Sequence, residues 1–145
     1  MMLILAAIIP AAAQHKGKDR ETMRKEVHEF KLKYLAQEMD LKEDQQKKFF
    51  DIYNQMCDEK IKVFRETRQL ENRLAKTSDA SESEYEAVTK AITAAKEKDA
   101  EIEKRYDEKF AQFLTPKQIF KMKEAEGKFR DKMREMRHKK RHSKK

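Results

Sequence analysis

Few residues in this 145-residue chain could do chemistry, and their spacing is poor for it. His138 and His142 stand at i, i+4, a step that sets two imidazoles on one helix face and suits a metal ion. Lys139, Lys140 and Arg141 crowd that pair and repel a cation, so the pair is a weak candidate and no metal is expected. His28 stands alone beside Glu29 and reads as a surface residue of a helix. Cys57 is the only cysteine; it either packs or cross-links two copies, and packing is the expectation. The serines fall in a loop and in the tail, away from any histidine on a rigid element, so no nucleophile–base pair can be argued. With two glycines in the whole chain there is no Gly-rich loop to cradle a nucleotide phosphate. The sequence therefore predicts a binding protein, not an enzyme, and no cofactor.

The elements that would carry a binding surface are helices. Gly17 and Gly127 enclose more than a hundred residues without glycine, in which Pro116 is the only proline. Sheets need turns, and turns need Gly, Pro, Asn and Asp clusters that are missing here. Four helices are expected, in a thin, curved, layered arrangement. The first, about Asp19 to Met39, steps through Met23, Val27, Phe30 and Tyr34. Asp40 with Glu43 reads as a capping box for the second, Leu41 to about Ala75, whose stripe runs from Phe49 through Tyr53 and Met56 to Leu74. Lys60 in this helix and Asp99 in the next break the apolar seams, which argues against a sustained coiled coil. A polar loop ends at Ser81 or Ser83, either of which can cap the third helix, about Glu84 to Phe113. Thr115, with Pro116 at the first helical position and Gln118 three residues on, opens the fourth.

The N-terminus reads as an export signal. Met1 to Ala13 carries no charge, is too short to span a bilayer, and ends on a small-residue run. Cleavage near Ala13 would leave an exported chain with residues 14–136 as a helical domain and 137–145 as a flexible basic tail. About a third of the remaining residues are apolar, enough for narrow stripes and too few for a thick core. A partner would complete the layer.

Charge is concentrated at one end. The chain carries a formal net charge of +8, and residues 128–145 supply all of it, with ten Lys or Arg against Asp131 and Glu135. The body is a balanced, solvated surface. Such a tail can meet nucleic acid, an anionic membrane surface or acidic proteins. Nucleic acid is not expected, because an exported chain rarely meets it and no aromatic beyond Phe129 could stack a base. Contact of the basic tail with a membrane surface stays open.

Leu114-Thr115-Pro116-Lys117-Gln118 matches an LTxxQ motif, and Leu41-Lys42-Glu43-Asp44-Gln45 is an earlier copy with Lys in place of Thr. With the export signal, four-helix plan and basic C-terminus, the chain resembles the Spy/CpxP family of small periplasmic helical proteins. In physical terms the motif is structural: Leu is a staple, Thr a cap and Gln its reciprocal partner. The resemblance implies an antiparallel, cradle-shaped homodimer. It also implies ATP-independent chaperone activity in envelope stress, with unfolded clients on a surface of charge and small apolar patches. The candidate client-binding residues are Met122, Phe129, Arg130, Lys132, Met133, Arg134, Met136 and Arg137, where flexible methionines alternate with cations that attract acidic clients. The rival readings are a metal-responsive sensor or zinc-resistance protein, which a body holding only His28 argues against, and a regulator that docks on a membrane sensor kinase.

Overall fold

The computed structural model describes residues 12–143, with side chains from Asp19 to Ser143. Residues 1–11 of the expected export signal lie outside the described residues, as do Lys144 and Lys145. The described chain is all-α: α1 (Ala12–Glu38), α2 (Glu43–Lys76), α3 (Glu82–Ala111) and α4 (Pro116–His142).

Two helix bounds differ from the sequence reading for local reasons. The first helix starts at Ala12 rather than Asp19, since Ala, Gln and Lys are good helix formers and only Gly17 opposes them. The fourth does not stop at Met136 but continues to His142. No Gly or Pro interrupts residues 137–142, and Lys139, Lys140 and Arg141 place positive charge on the negative end of the helix dipole.

The turn between α1 and α2 corrects another expectation. Asp40 does not cap α2. It adopts φ 52°, the left-handed conformation that Asp tolerates better than most side chains, and so ends α1. The Asp40 amide donates to Gln37 O at 3.1 Å and the Leu41 amide to Ala36 O at 3.0 Å, the bond pair of a Schellman stop. Leu41 and Ala36 are both buried, which supplies the apolar contact of that motif. The N-cap of α2 is Lys42. At the other two starts the expected caps form: Ser81 opens α3, and Thr115 opens α4 with Pro116 following.

α2 and α3 form a long antiparallel hairpin; at 1.5 Å per residue, the 34 residues of α2 reach roughly 50 Å. α1 and α4 pack together and flank the hairpin only near its end opposite the 77–81 loop. The core lies at that end. It is centred on Leu35, Phe49, Tyr53, Tyr106, Phe110 and Met122 from all four helices, each almost fully buried. Aromatic rings tie it: Phe49 stands 5.4 Å from Phe110 and 5.3 Å from Tyr53, and Phe129 of α4 meets Tyr34 of α1 at 5.9 Å. Offset and tilted ring pairs of this kind contribute about 0.5–1.5 kcal/mol beyond the area they bury.

Candidate functional site

The two motif copies meet. Leu41 and Leu114 are buried, and the glutamines four residues after each, 73 residues apart, face one another. Gln118 Nε2 donates to Gln45 Oε1 at 3.0 Å, and Gln45 Nε2 donates back to Gln118 Oε1 at 3.3 Å. Each oxygen also accepts from its own helix start: the Lys42 amide reaches Gln45 Oε1 and the Thr115 amide reaches Gln118 Oε1, both at 3.0 Å. Gln45 Nε2 further donates to Phe113 O at 3.1 Å, holding the last turn before α4. Thr115 Oγ1 accepts from the Gln118 amide at 3.2 Å, while Lys42, with no acceptor on its side chain, leaves its half of the box empty. The arrangement is a clasp that satisfies helix-start amides and joins two turns. It holds no general acid, base or nucleophile, so its work is positional.

Beyond the clasp the two seam-breaking charges pair with each other. Lys60 Nζ lies 2.6 Å from Glu103 Oε1 and 3.4 Å from Asp99 Oδ2. Burial pushes the Lys60 ammonium down, but Glu103 and Asp99 outweigh it and hold the pKa above the usual lysine range. Glu103 is held low by its bond to Lys60. The buried tyrosines turn their hydroxyls to carboxylates on neighbouring helices: Tyr106 donates to Glu59 at 2.6 Å and Tyr53 to Glu126 at 3.1 Å. Burial, then the Glu59 bond, pushes Tyr106 up to about 12, and burial with the Glu126 charge raises Tyr53 further. Glu59 also accepts from Arg105 at 2.6 Å and titrates below the ordinary carboxylate range, chiefly through its Tyr106 bond. These are groups locked in their resting charge states, as befits packing rather than proton transfer.

Cys57 is half-buried against the core edge, and burial raises its thiol pKa, which makes it a poor nucleophile. His28 Nε2 donates to Asn54 Oδ1 at 2.6 Å and ties α1 to α2. His138 and His142 are both exposed on α4. Among the described residues no group of three or more His, Cys, Asp or Glu side chains is arranged to hold a metal ion.

The predicted client-binding set on α4 divides. Met122 and Phe129 are corrected: both are buried in the core, Met122 beneath the clasp end and Phe129 against Tyr34 and Phe30, so the folded chain cannot present them to a client. Their spacing is that of the packed face of α4. Arg130, Lys132, Arg134, Met136 and Arg137 are exposed and Met133 is half-buried.

Further exposed apolar side chains lie elsewhere. Met23, Val27 and Phe30 of α1, expected to face a core, stay open, with Phe30 52% exposed. They and Arg20, Arg24, His28 and Lys31 border a shallow hollow and a ridge. At the free end of the hairpin, Phe64 is 67% exposed, and Ile61, Leu70 and Tyr85 are open too. Between the helices there a groove of about 300 Å³ is lined by Val63, Phe64, Thr67, Ile92 and Ala95, with Lys60, Lys96 and Asp99 at its charged edge. Sequence reasoning missed this groove because its residues carry the same spacing as the packed stripe. The one sign was the length of α2, which outruns the apolar residues available to cover it. Compared with protein-family models, with curated proteins and with solved structures, the chain matches none of them.

Proposed function

We propose that this chain is an ATP-independent chaperone of the periplasm that holds unfolded or aggregation-prone proteins during envelope stress. The observation that carries the reading is the placement of apolar surface. Large apolar side chains line the hairpin groove and the open row of α1, each bordered by charge, while the core is densest at the clasp end and thins out at Val63. A groove with Phe, Val, Ile and Ala on its floor and Lys and Asp on its rim takes short apolar segments of many sequences and releases them, since no deep pocket demands one shape. The basic half of α4 raises the encounter rate with acidic clients. The motif pair and helical plan resemble the Spy/CpxP family, and this supports the same reading. The proposal includes an antiparallel homodimer shaped as a cradle, in which a second copy covers part of the open α1 row.

The test is light scattering from a reduced, unfolded model protein without nucleotide. Several-fold molar excess of the chain is expected to suppress aggregation, and Phe64→Ser with Ile61→Ser to weaken suppression. Scattering unchanged by the wild-type chain would refute the chaperone reading. In 1 M salt, where the Debye length shrinks to about 3 Å, slower capture is expected; equal activity would remove the steering step. Sedimentation in the same buffer reads the oligomeric state.

A further inference from the structure

The far half of α4 carries a feature that client holding leaves unexplained. Arg134, Arg137, His138 and Arg141 recur at i, i+3, i+4 and i+7, so they share one helix face. All four are exposed and together line a hollow of about 310 Å³. The same face begins nearer the clasp with Lys123 and Arg130, and there it is balanced. Lys123 Nζ lies 2.8 Å from Asp107 Oδ1, and Lys123 and Arg130 both act on Glu103 of α3. Past Arg130 the face is unpaired: among the described residues Arg134, Arg137 and Arg141 form no ion pair. Like charges at these spacings repel, so the face is at its least stable when bare.

Apolar side chains border the cations along one side of the helix only: Met133 stands one turn before Arg137, and Met136 lies further round on that side, about 100° from Arg137. Met136 is 51% exposed and Met133 half-buried, and Arg137 Nε donates to Met133 O at 3.3 Å, which draws its guanidinium back along that turn. We propose that this face docks on a bilayer surface rich in anionic phospholipid. Arg134, Arg137 and Arg141 take phosphate oxygens, and Met133 and Met136 enter the boundary between headgroups and acyl chains. Guanidinium forks match phosphate in geometry as well as charge. A basic helix with an apolar flank lies in the membrane interface, held by both contributions. An acidic polypeptide can meet the same cations and methionines in passing, but it does not offer a planar array of phosphates backed by an apolar layer, which three guanidiniums beside two methionines fit together. A nucleic acid would find no aromatic on this face to stack its bases.

The experiment is co-sedimentation of the full chain with vesicles of phosphatidylcholine alone or with about one-third phosphatidylglycerol. The apolar residues 1–13 partition into either vesicle, so the difference between the two isolates the charged face. Tighter binding to the anionic vesicles is expected. In the triple variant Arg134→Gln, Arg137→Gln, Arg141→Gln that preference should fall about 100-fold, with helix content unchanged by circular dichroism. Met136→Ser should weaken vesicle binding several-fold and leave binding to soluble polyphosphate as it was. Equal binding to both vesicles, or an unaffected triple variant, overturns the proposal. So does a polyphosphate or acidic peptide bound more tightly than the vesicles with Met136→Ser neutral, which would assign the face to a soluble polyanion. Aggregation assays without lipid read client holding alone, so the two proposals fail separately.

Discussion

The two ends of the α2–α3 hairpin are made of the same kinds of residue at the same spacing, yet one is sealed and the other open. At the clasp end Phe49 and Phe110 are fully buried, because α1 and α4 close over the hairpin there. Towards the loop end Phe64, on the same helix as Phe49 and about four turns further on, faces water. Periodicity fixes which face of a helix is apolar. It does not fix whether another helix is present to cover that face, and with four helices of 27 to 34 residues the cover ends before the hairpin does. What separates a core from a binding surface here is the supply of partner helices.

The sharpest way to break that contrast is to truncate one ring at each end. Phe110→Ala should cost about 3–5 kcal/mol, the usual range for a buried phenylalanine that leaves a cavity. Phe64→Ala should stay within about 0.5 kcal/mol, as exposed positions do. Denaturant midpoints of the two variants check this. Similar losses at both positions would mean that the loop end is covered in solution, by a second copy or by another part of the chain.

The contrast also explains what the sequence disclosed. The helices, the Ser81 and Thr115 caps and the packed stripe of α2 were legible because each rests on local chemistry: a hydroxyl, a Glu or Gln three residues on, a step of three or four. Asp40 was misread because Asp serves both as an N-cap and as a left-handed stop, and only the position of Leu41 against Ala36 chooses between them. The stripe of α1 was legible as one helix face, but α1 reaches the core only from Leu32 onward, which its spacing does not show. Lys60 and Asp99 were read as breaks in two seams, when they are partners across one. The Gln45–Gln118 pair was signalled only by its repetition, since nothing local tells one amide where the other lies.

The sealed end holds the two buried tyrosines, and alkali probes it. An unfolded tyrosine titrates near pH 10, whereas folded Tyr106 titrates at about 12 and Tyr53 is also raised. Above pH 10 the unfolded chain gives up phenolic protons that the folded chain keeps, so stability is complete below that pH and falls as pH rises towards 12. Lys60, with its raised pKa, acts in the same direction. Melting curves between pH 9 and 12 should show this decline, and Tyr106→Phe should make it shallower at some loss of stability near neutrality. Glu59 and Glu103 have the opposite sign: their lowered values contribute stability above the ordinary carboxylate range that is lost on acidification.

A smaller effect reports on the clasp. Gln45→Ala and Gln118→Ala each free one helix-start amide and unpair the other glutamine, so the two variants share a loss. A double-mutant cycle should return a coupling of about 0.5–1.5 kcal/mol, the scale of one or two partly buried hydrogen bonds. Strict additivity would mean that the two turns are held by Leu41, Leu114 and the rings behind them, with the amides passive.

The smallest effect belongs to Gly127, where the covered part of α4 gives way to its open part. It lies in the helix interior between Glu126, which accepts from Tyr53, and the last buried residue, Phe129. Apart from its chain neighbours and the surrounding backbone of its own helix, a methyl group built there meets nothing within 4 Å, and φ is not positive, so the space and the backbone both admit alanine. Gly127→Ala should stabilise the chain by about 0.4–1 kcal/mol, largely by narrowing the unfolded ensemble. A calorimetric rise of a few degrees would agree. A fall would show that α4 bends at Gly127 in the folded state, and that the open half of the helix is positioned by that bend and not by continuous helical rigidity.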